Sequence, residues 1–231
     1  MNRPLLELKN VSRTFLQAGE RVHALRKANA EFFAGELSAI VGPSGSGKST
    51  FLTIAGALQS PTSGEIVIKG VDVSGLSKSK LSNFRLHEVG FILQASNLVP
   101  YLKVGDQLTL LDKVLKRKND DADRQKILES LGIEKLADKY PDELSGGERQ
   151  RVVIAKVLYG SSSIILADEP TASLDTKRAL DVVKLLAKET RSRQKATVMV
   201  THDERLTDYC DSVYEMHDGV ITKRENHKKT K

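Results

Sequence analysis

Residues 37–56 read LSAIVGPSGSGKSTFLTIAG, and this stretch decides the fold. Leu37–Val41 is a short, mainly apolar run of the kind that forms a buried strand. The next residues, Gly42-Pro43-Ser44-Gly45-Ser46-Gly47-Lys48-Ser49, are spaced G-x-x-x-x-G-K-S, and Thr50 follows. An apolar segment, FLTIAGAL, then predicts a helix that begins near Gly47. Strand, glycine-rich turn and helix in that order make this spacing a phosphate-binding loop. Glycines let the backbone curl until successive N–H groups aim at one anion. The helix N-terminus adds unpaired donors and a favourable dipole. Lys48 is placed to reach the β- and γ-phosphates of a nucleotide, and the Ser49 hydroxyl to ligate Mg²⁺. A chance match to this pattern in a chain of this size is on the order of 1%.

Farther along, Ile164-Ile165-Leu166-Ala167 is an apolar strand that ends in two carboxylates, Asp168 and Glu169. Asp168 at the strand tip can complete the Mg²⁺ site begun by Ser49. Glu169, one residue on, points to the other side of the strand axis, where it can polarise a water beside the γ-phosphate.

Around these motifs the chain alternates short apolar runs with helical patterns, which predicts an α/β fold. Leu5–Leu8, Glu31–Phe33 and Val89–Leu93 read as strands, and residues 61–73 (PTSGEIVIKGVDV) as turn, strand, turn, strand. Between residues 95 and 144 the strand patterns vanish and apolar residues recur at helical spacing, so this segment is expected to be an inserted helical lobe. Helices are predicted over residues 146–160 and 176–193. In the second, the face of Leu180, Val183, Lys184 and Ala187 is expected to turn toward the core. A further strand covers Ala196–Thr201, and residues 211–225 predict a hairpin turning at Asp218-Gly219. The expected division is an α/β core with a β region (1–94 and 145–222), the helical lobe (95–144) and a basic tail (223–231).

Composition closes off other classes. The chain has 231 residues, 39% of them apolar and 29% charged, enough to bury a core without staples and too ordinary for collagen, low-complexity disorder or a coiled-coil rod. No window approaches 18 consecutive apolar residues, the length a spanning helix needs, and the N-terminus lacks the apolar core of a signal peptide. Cys210 is the one cysteine, so an internal disulfide is impossible and a reducing, cytoplasmic setting fits. It is expected to be a packing residue. Part of the +6 net charge lies in the last ten residues, TKRENHKKTK. His23, His87, His217 and His227 lack ligand spacing and are expected to serve at the surface or in packing.

A second anion-binding device stands at Leu144-Ser145-Gly146-Gly147-Glu148, where Ser-Gly-Gly opens a helix. One nucleotide has little use for two such devices within a chain. A head-to-tail pair of chains resolves this, each covering the γ-phosphate bound by the other. With this motif the sequence resembles the ATP-binding cassette (ABC) ATPases over nearly its whole length. The phosphate loop, Gln94 after a strand, LSGGE, ILADEP, Ser173-Leu174-Asp175 and His202 after a strand follow in the family's order and spacing. The resemblance implies a P-loop NTPase core with a helical lobe and an N-terminal antiparallel β region. It implies ATP and Mg²⁺ as cofactors, with residues 42–50 and Ser145, Gly146, Gly147 and Glu148 holding nucleotide. Phe15, at a position where the family usually has Tyr, would stack on adenine. Gln94 would sense Mg²⁺ and the attacking water, Asp175 would cross the dimer interface, and His202 would contact the γ-phosphate and orient the catalytic Glu169. Glu148 stands where Gln is commoner, as is usual in the lipoprotein- and macrolide-exporter branch.

Within the family, the 51 residues from Gln94 to Ser145 (145 − 94) leave room for a small lobe but not for a coiled-coil arm. A transporter ATPase on the cytoplasmic face of a membrane is therefore expected, its permease a separate multi-span chain docking near Leu98–Lys103, with no nucleic acid involved. The strings LVPYLKV and THDERLTDYCDSVYEMHDGVI resemble the ATPases of haem-regulated transporters of Gram-positive bacteria, which implies haem efflux. Export of antimicrobial peptides, drugs or lipoproteins, regulation of cell-wall enzymes at the membrane, and DNA repair are the alternatives the sequence leaves open.

Overall fold

The structure, a computed structural model, describes residues 3–17, 19–93, 97–172 and 174–225. Gln94, Ser173 and His227 lie outside the described residues. Strand β3 (Leu37–Val41) is central to a six-stranded sheet that also contains β6 (Val89–Ile92), β7 (Ile164–Asp168), β8 (Ala196–Thr201), β9 (Ser212–His217) and β10 (Val220–Lys223). The strand order is β10-β9-β3-β8-β7-β6, parallel except for the β9–β10 hairpin. A separate antiparallel sheet has the order β2-β1-β4-β5, formed by β1 (Leu6–Gln17), β2 (Glu20–Phe32), β4 (Ser63–Ile68) and β5 (Val71–Asp72).

The parallel strands are mainly apolar because both of their faces are covered, with buried Ser38 and Ser212 hydrogen-bonded to each other at 2.8 Å. Side chains alternate across a strand, and the core divides accordingly. Ile40, Ile164, Leu166, Val198 and Val200 pack with helix α1 (Lys48–Ala55) and the antiparallel sheet. Ala39, Ile165, Ala167 and Met199 pack on the opposite side with helices α5 (Gly146–Tyr159) and α6 (Thr176–Ser192). Helix α6 buries Ala179, Val182, Val183, Leu186 and Ala187. Each large side chain among them contributes about 1.5–3 kcal/mol. The expected core face of this helix is corrected at Lys184, which is exposed and rests its ammonium 5.2 Å from the Tyr209 ring centre.

Residues 97–144 form α3 (Val104–Val114), α4 (Asp121–Ser130) and two single 3-10 turns. They are joined to α5 by a buried polar cluster. Asp112 of α3, 3% exposed, accepts hydrogen bonds from Tyr159 Oη at 2.8 Å and Arg117 Nε at 2.6 Å. The Arg117 guanidinium lies 4.2 Å from the Tyr159 ring centre.

Three expectations need correction. The β1–β2 hairpin is far longer than the two short strands read from sequence, because its exposed, bulged outer part lacks an apolar pattern. Helix α2 (Lys78–Glu88) was not anticipated; it buries no residue completely and rests on the core through half-buried Leu81 and Phe84, too few apolar positions to show a stripe. The basic tail does not begin at 223: Lys223 pairs with Tyr214 in β10, and Arg224 N donates to Val213 O at 2.8 Å.

Candidate functional site

Parallel register brings the carboxyl ends of three strands together. Val41 pairs with Thr201, and Asp168 with Val200. The residues that follow, 42–49, Glu169 and His202, therefore gather at one edge of the sheet, where open α/β sheets bind ligands. Ser44, Gly45, Gly47, Lys48 and Ser49 of the loop, with Glu169 and His202, line a cleft of about 830 Å³ together with Arg21, Val22, His23, Ala24 and Arg26 of β2 and the Asp218-Gly219 turn.

The phosphate loop is shaped by its glycines. Gly45 and Gly47 have φ values of +81° and +106°, a region open to glycine. A Cβ at Gly47 would stand 2.4 Å from the Ala24 carbonyl oxygen. Helix α1 starts at Lys48, so the loop delivers its N–H groups to a helix N-terminus. Lys48 is 9% exposed, and its ammonium donates to the Gly42 and Pro43 carbonyls, each at 2.8 Å, across the curl of the loop. Ser46 Oγ is buried and has no hydrogen-bond partner among the described residues. Ser49 Oγ donates to Asp168 Oδ1 at 3.4 Å. A hydroxyl and a carboxylate, both hard oxygen donors, fit Mg²⁺.

Glu169 leaves β7 with φ +48°, a conformation costing a non-glycine residue about 1–2 kcal/mol. Its N–H donates to Val200 O at 3.1 Å, which holds the bend. Its Oε1 lies 2.9 Å from His202 Nδ1. After His202, Asp203 accepts from Arg205 Nε at 2.8 Å and Nη2 at 2.7 Å, and that pairing keeps its carboxyl below the usual range.

Ser145 caps α5. Its N–H donates to Glu148 Oε2 at 2.8 Å and its Oγ accepts from Glu148 N at 3.3 Å, a reciprocal capping box. The Ser145 hydroxyl and N–H together hold the Glu148 carboxyl below its ordinary range. Asp175 caps α6 by accepting from Arg178 N at 3.0 Å, and its other oxygen lies 3.3 Å from Arg178 Nε. Ser145, Gly147 and Glu148 line a smaller cavity of about 340 Å³ with Leu174 and Arg178. None of the residues lining that cavity lines the 830 Å³ cleft.

The structure thus brings together Ser44, Gly45, Gly47, Lys48, Ser49, Thr50, Asp168, Glu169 and His202, and keeps Ser145, Gly147 and Glu148 apart from them. Gly42 and Pro43 line a separate recess with His202 and Arg224. Phe15 is not among the cleft residues, although its cross-strand partner Val22 is. The Phe15 ring lies 4.6 Å from the Arg13 guanidinium. His23, expected to be a surface or packing residue, lines the cleft, with Nδ1 3.0 Å from Thr14 Oγ1. The β2 residues gave no signal in the sequence, being exposed positions on a strand with no motif. Glu148 did carry one, since S-x-x-E before an apolar run is a capping-box pattern.

Residues 25–172 match the ABC transporter family. The chain is 43% identical over 218 residues to a putative hemin import ATP-binding protein HrtA of Staphylococcus epidermidis, covering 94% of this chain and 98% of the relative. Among solved structures it matches the dimeric structure of MJ0796, a bacterial ABC transporter cassette, with TM-score 0.84, 35% identity and coverage of 96% and 99%. It also matches the post-hydrolysis dimer of the same cassette bound to ADP and Pi, with TM-score 0.83, 36% identity and the same coverage. The phosphate loop, the paired strand-end carboxylates and these matches agree, and the chain belongs to the ABC transporter family as one of its ATPases.

Proposed function

We propose that this ATPase powers haem export through a separate membrane permease, as a head-to-tail dimer on the cytoplasmic face. The observation that carries the haem reading is the 43% identity, over nearly the full length of both chains, to a protein named for hemin transport. That name says import. The export direction rests on the chain's likeness to the lipoprotein- and macrolide-exporter branch, including Glu148 in the signature.

In this reading Lys48, Ser49 and the loop N–H groups hold the ATP phosphates. Ser49 and Asp168 hold Mg²⁺, with Gln94 as a further ligand, and the ion would screen phosphate charge. Glu169 orients water for in-line attack and His202 orients Glu169, in support of which their side chains lie 2.9 Å apart. The work is positioning and electrostatic preorganisation, because phosphoryl transfer needs little covalent help. Ser145, Gly146 and Gly147 act on the ATP of the partner, and Asp175 crosses the interface. Supporting this, the signature residues line no part of their own chain's nucleotide cleft.

Permease docking is assigned to Leu98–Lys103 on the helical lobe of residues 95–144. Tyr101 there is 78% exposed. The loop that presents it is held by buried Gln107, whose Nε2 donates to Val99 O at 2.7 Å and Leu102 O at 3.1 Å, and whose Oε1 accepts from Val99 N at 3.1 Å. Among the described residues no helix is long and apolar enough to cross a membrane, in keeping with a permease on another chain.

The test compares cells carrying wild-type protein with cells carrying Glu169→Gln in rising haemin. Export predicts that the variant strain stops growing at lower haemin and accumulates more cell-associated haem. Lower haem content with poorer growth on haemin as iron source would reverse the direction. Equal growth and equal haem content would remove haem as the cargo.

A further inference from the structure

The β9–β10 turn lines the cleft and lies against the phosphate loop at Ser46. It closes with φ +47° at Asp218 and +79° at Gly219, the left-handed pair that a tight two-residue hairpin turn requires. Gly219 N donates to Ser46 O at 3.0 Å, and Gly219 O accepts from Arg26 N at 2.8 Å. One residue therefore ties the loop to strand β2.

The bond to Ser46 has a directional consequence. A trans peptide is planar, so the carbonyl of residue 46 and the N–H of residue 47 point opposite ways. Drawing the carbonyl toward the hairpin turns the Gly47 N–H away from it. The fit around this bond leaves no room for side chains. A Cβ at Gly219 would lie 2.9 Å from Ala24 O, one at Gly47 would lie 2.4 Å from the same oxygen, and one at Gly42 would lie 2.1 Å from Met216 O. Backbone at Ala24 and Met216 forms a wall, and the loop is pressed onto it at glycines.

We propose that the Asp218-Gly219 turn is a positioning element for ATP binding: through the Ser46 carbonyl, the Gly219 N–H sets the direction of the phosphate loop's donors. The inference concerns ATP chemistry alone, so it stands or falls independently of the haem reading.

Gly70 supplies the control. It occupies the β4–β5 turn with the same φ of +79°, and a Cβ there meets nothing within 4 Å. Gly70→Ala and Gly219→Ala carry the same left-handed backbone cost, but only the second presses on the Ala24 backbone beside the loop. Calorimetric titration with Mg-ATP and Mg-ADP, alongside thermal unfolding without nucleotide, separates the two effects. Both variants should unfold at lower temperature. Only Gly219→Ala should bind both nucleotides about tenfold more weakly, the scale of one misplaced hydrogen-bond donor. Affinity within about threefold of wild type in Gly219→Ala, or equal weakening in both variants, would overturn the proposal.

If Gly219→Ala does not fold, hydrogen exchange on the wild-type protein decides. Saturating Mg-ADP should slow exchange of the Gly219 amide about tenfold or more while leaving Gly70 unchanged. An unaltered Gly219 rate would refute the role.

Discussion

Two neighbouring carboxylates end β7, and their backbone conformations give them different partners. Asp168 is the last residue in strand register and meets the Ser49 hydroxyl; Glu169 turns into a left-handed conformation and meets His202. In the proposed mechanism the second carboxylate is the one that touches the attacking water. Glu169→Gln keeps the shape and removes the charge, so ATP affinity by calorimetry should stay near that of wild type while hydrolysis falls by about 100-fold or more, the range general-base removal produces. Wild-type turnover would take Glu169 out of this role. Cys210 gives a second residue-scale prediction. Burial, and then the nearby Asp211 charge, push its thiol up to about 12, against an ordinary value nearer 9. At pH 8 the folded chain should react with iodoacetamide on the order of 1,000-fold more slowly than the chain in denaturant, since thiolate is the reactive form. Below pH 9 the thiol is neutral in both states, and between pH 9 and 12 the unfolded chain ionises first, so this residue's contribution declines as pH rises.

At the level of elements, legibility follows burial. Strands β3, β7 and β8 are covered on both faces, so they read as mainly apolar runs, and the phosphate loop is fixed by spacing alone. The Asp218-Gly219 hairpin is equally plain, because few residue pairs accept two left-handed positions. Helix α2, which has no fully buried residue, and the exposed outer half of the β1–β2 hairpin stay hidden. The cleft wall from β2 is hidden for a different reason: Val22, His23 and Arg26 acquire their place only when the two sheets come together. So too the Asp112 cluster, whose members lie 47 residues apart in sequence at Asp112 and Tyr159. That cluster joins α3 to the far end of the helix that begins with the signature. Tyr159→Phe removes one donor from a buried carboxylate still held by Arg117. Urea unfolding should register a loss of about 1–3 kcal/mol, with the ATP affinity of the cleft unchanged. A loss below about 0.5 kcal/mol would mean that Arg117 and Arg124, whose Nη2 lies 4.0 Å from Asp112 Oδ2, satisfy Asp112 without Tyr159.

For the whole molecule, the decisive fact is that the helix starts at Lys48 and after Ser145 do not share a cavity. Lys48 opens onto the 830 Å³ cleft, whereas Ser145 and Gly147 border the 340 Å³ cavity beside Leu174 and Arg178. In the proposed arrangement a single chain supplies two half-sites, and a two-fold pair of chains can complete both at once. Hydrolysis would dissolve the pair by discharging the nucleotide that bridges it, so the pair should accumulate when hydrolysis is blocked. Sedimentation velocity of Glu169→Gln with ATP should give a species of about twice the 25.4 kDa chain mass, and the same protein without nucleotide should remain single. Adding Ser145→Arg to that variant places a bulky cation at the outward half-site. It should abolish the pair while leaving ATP affinity intact, because the first half-site is untouched. A Glu169→Gln chain that stays single at saturating ATP would overturn the head-to-tail arrangement. If the double variant lost ATP affinity, Ser145 would have to act on its own chain's nucleotide.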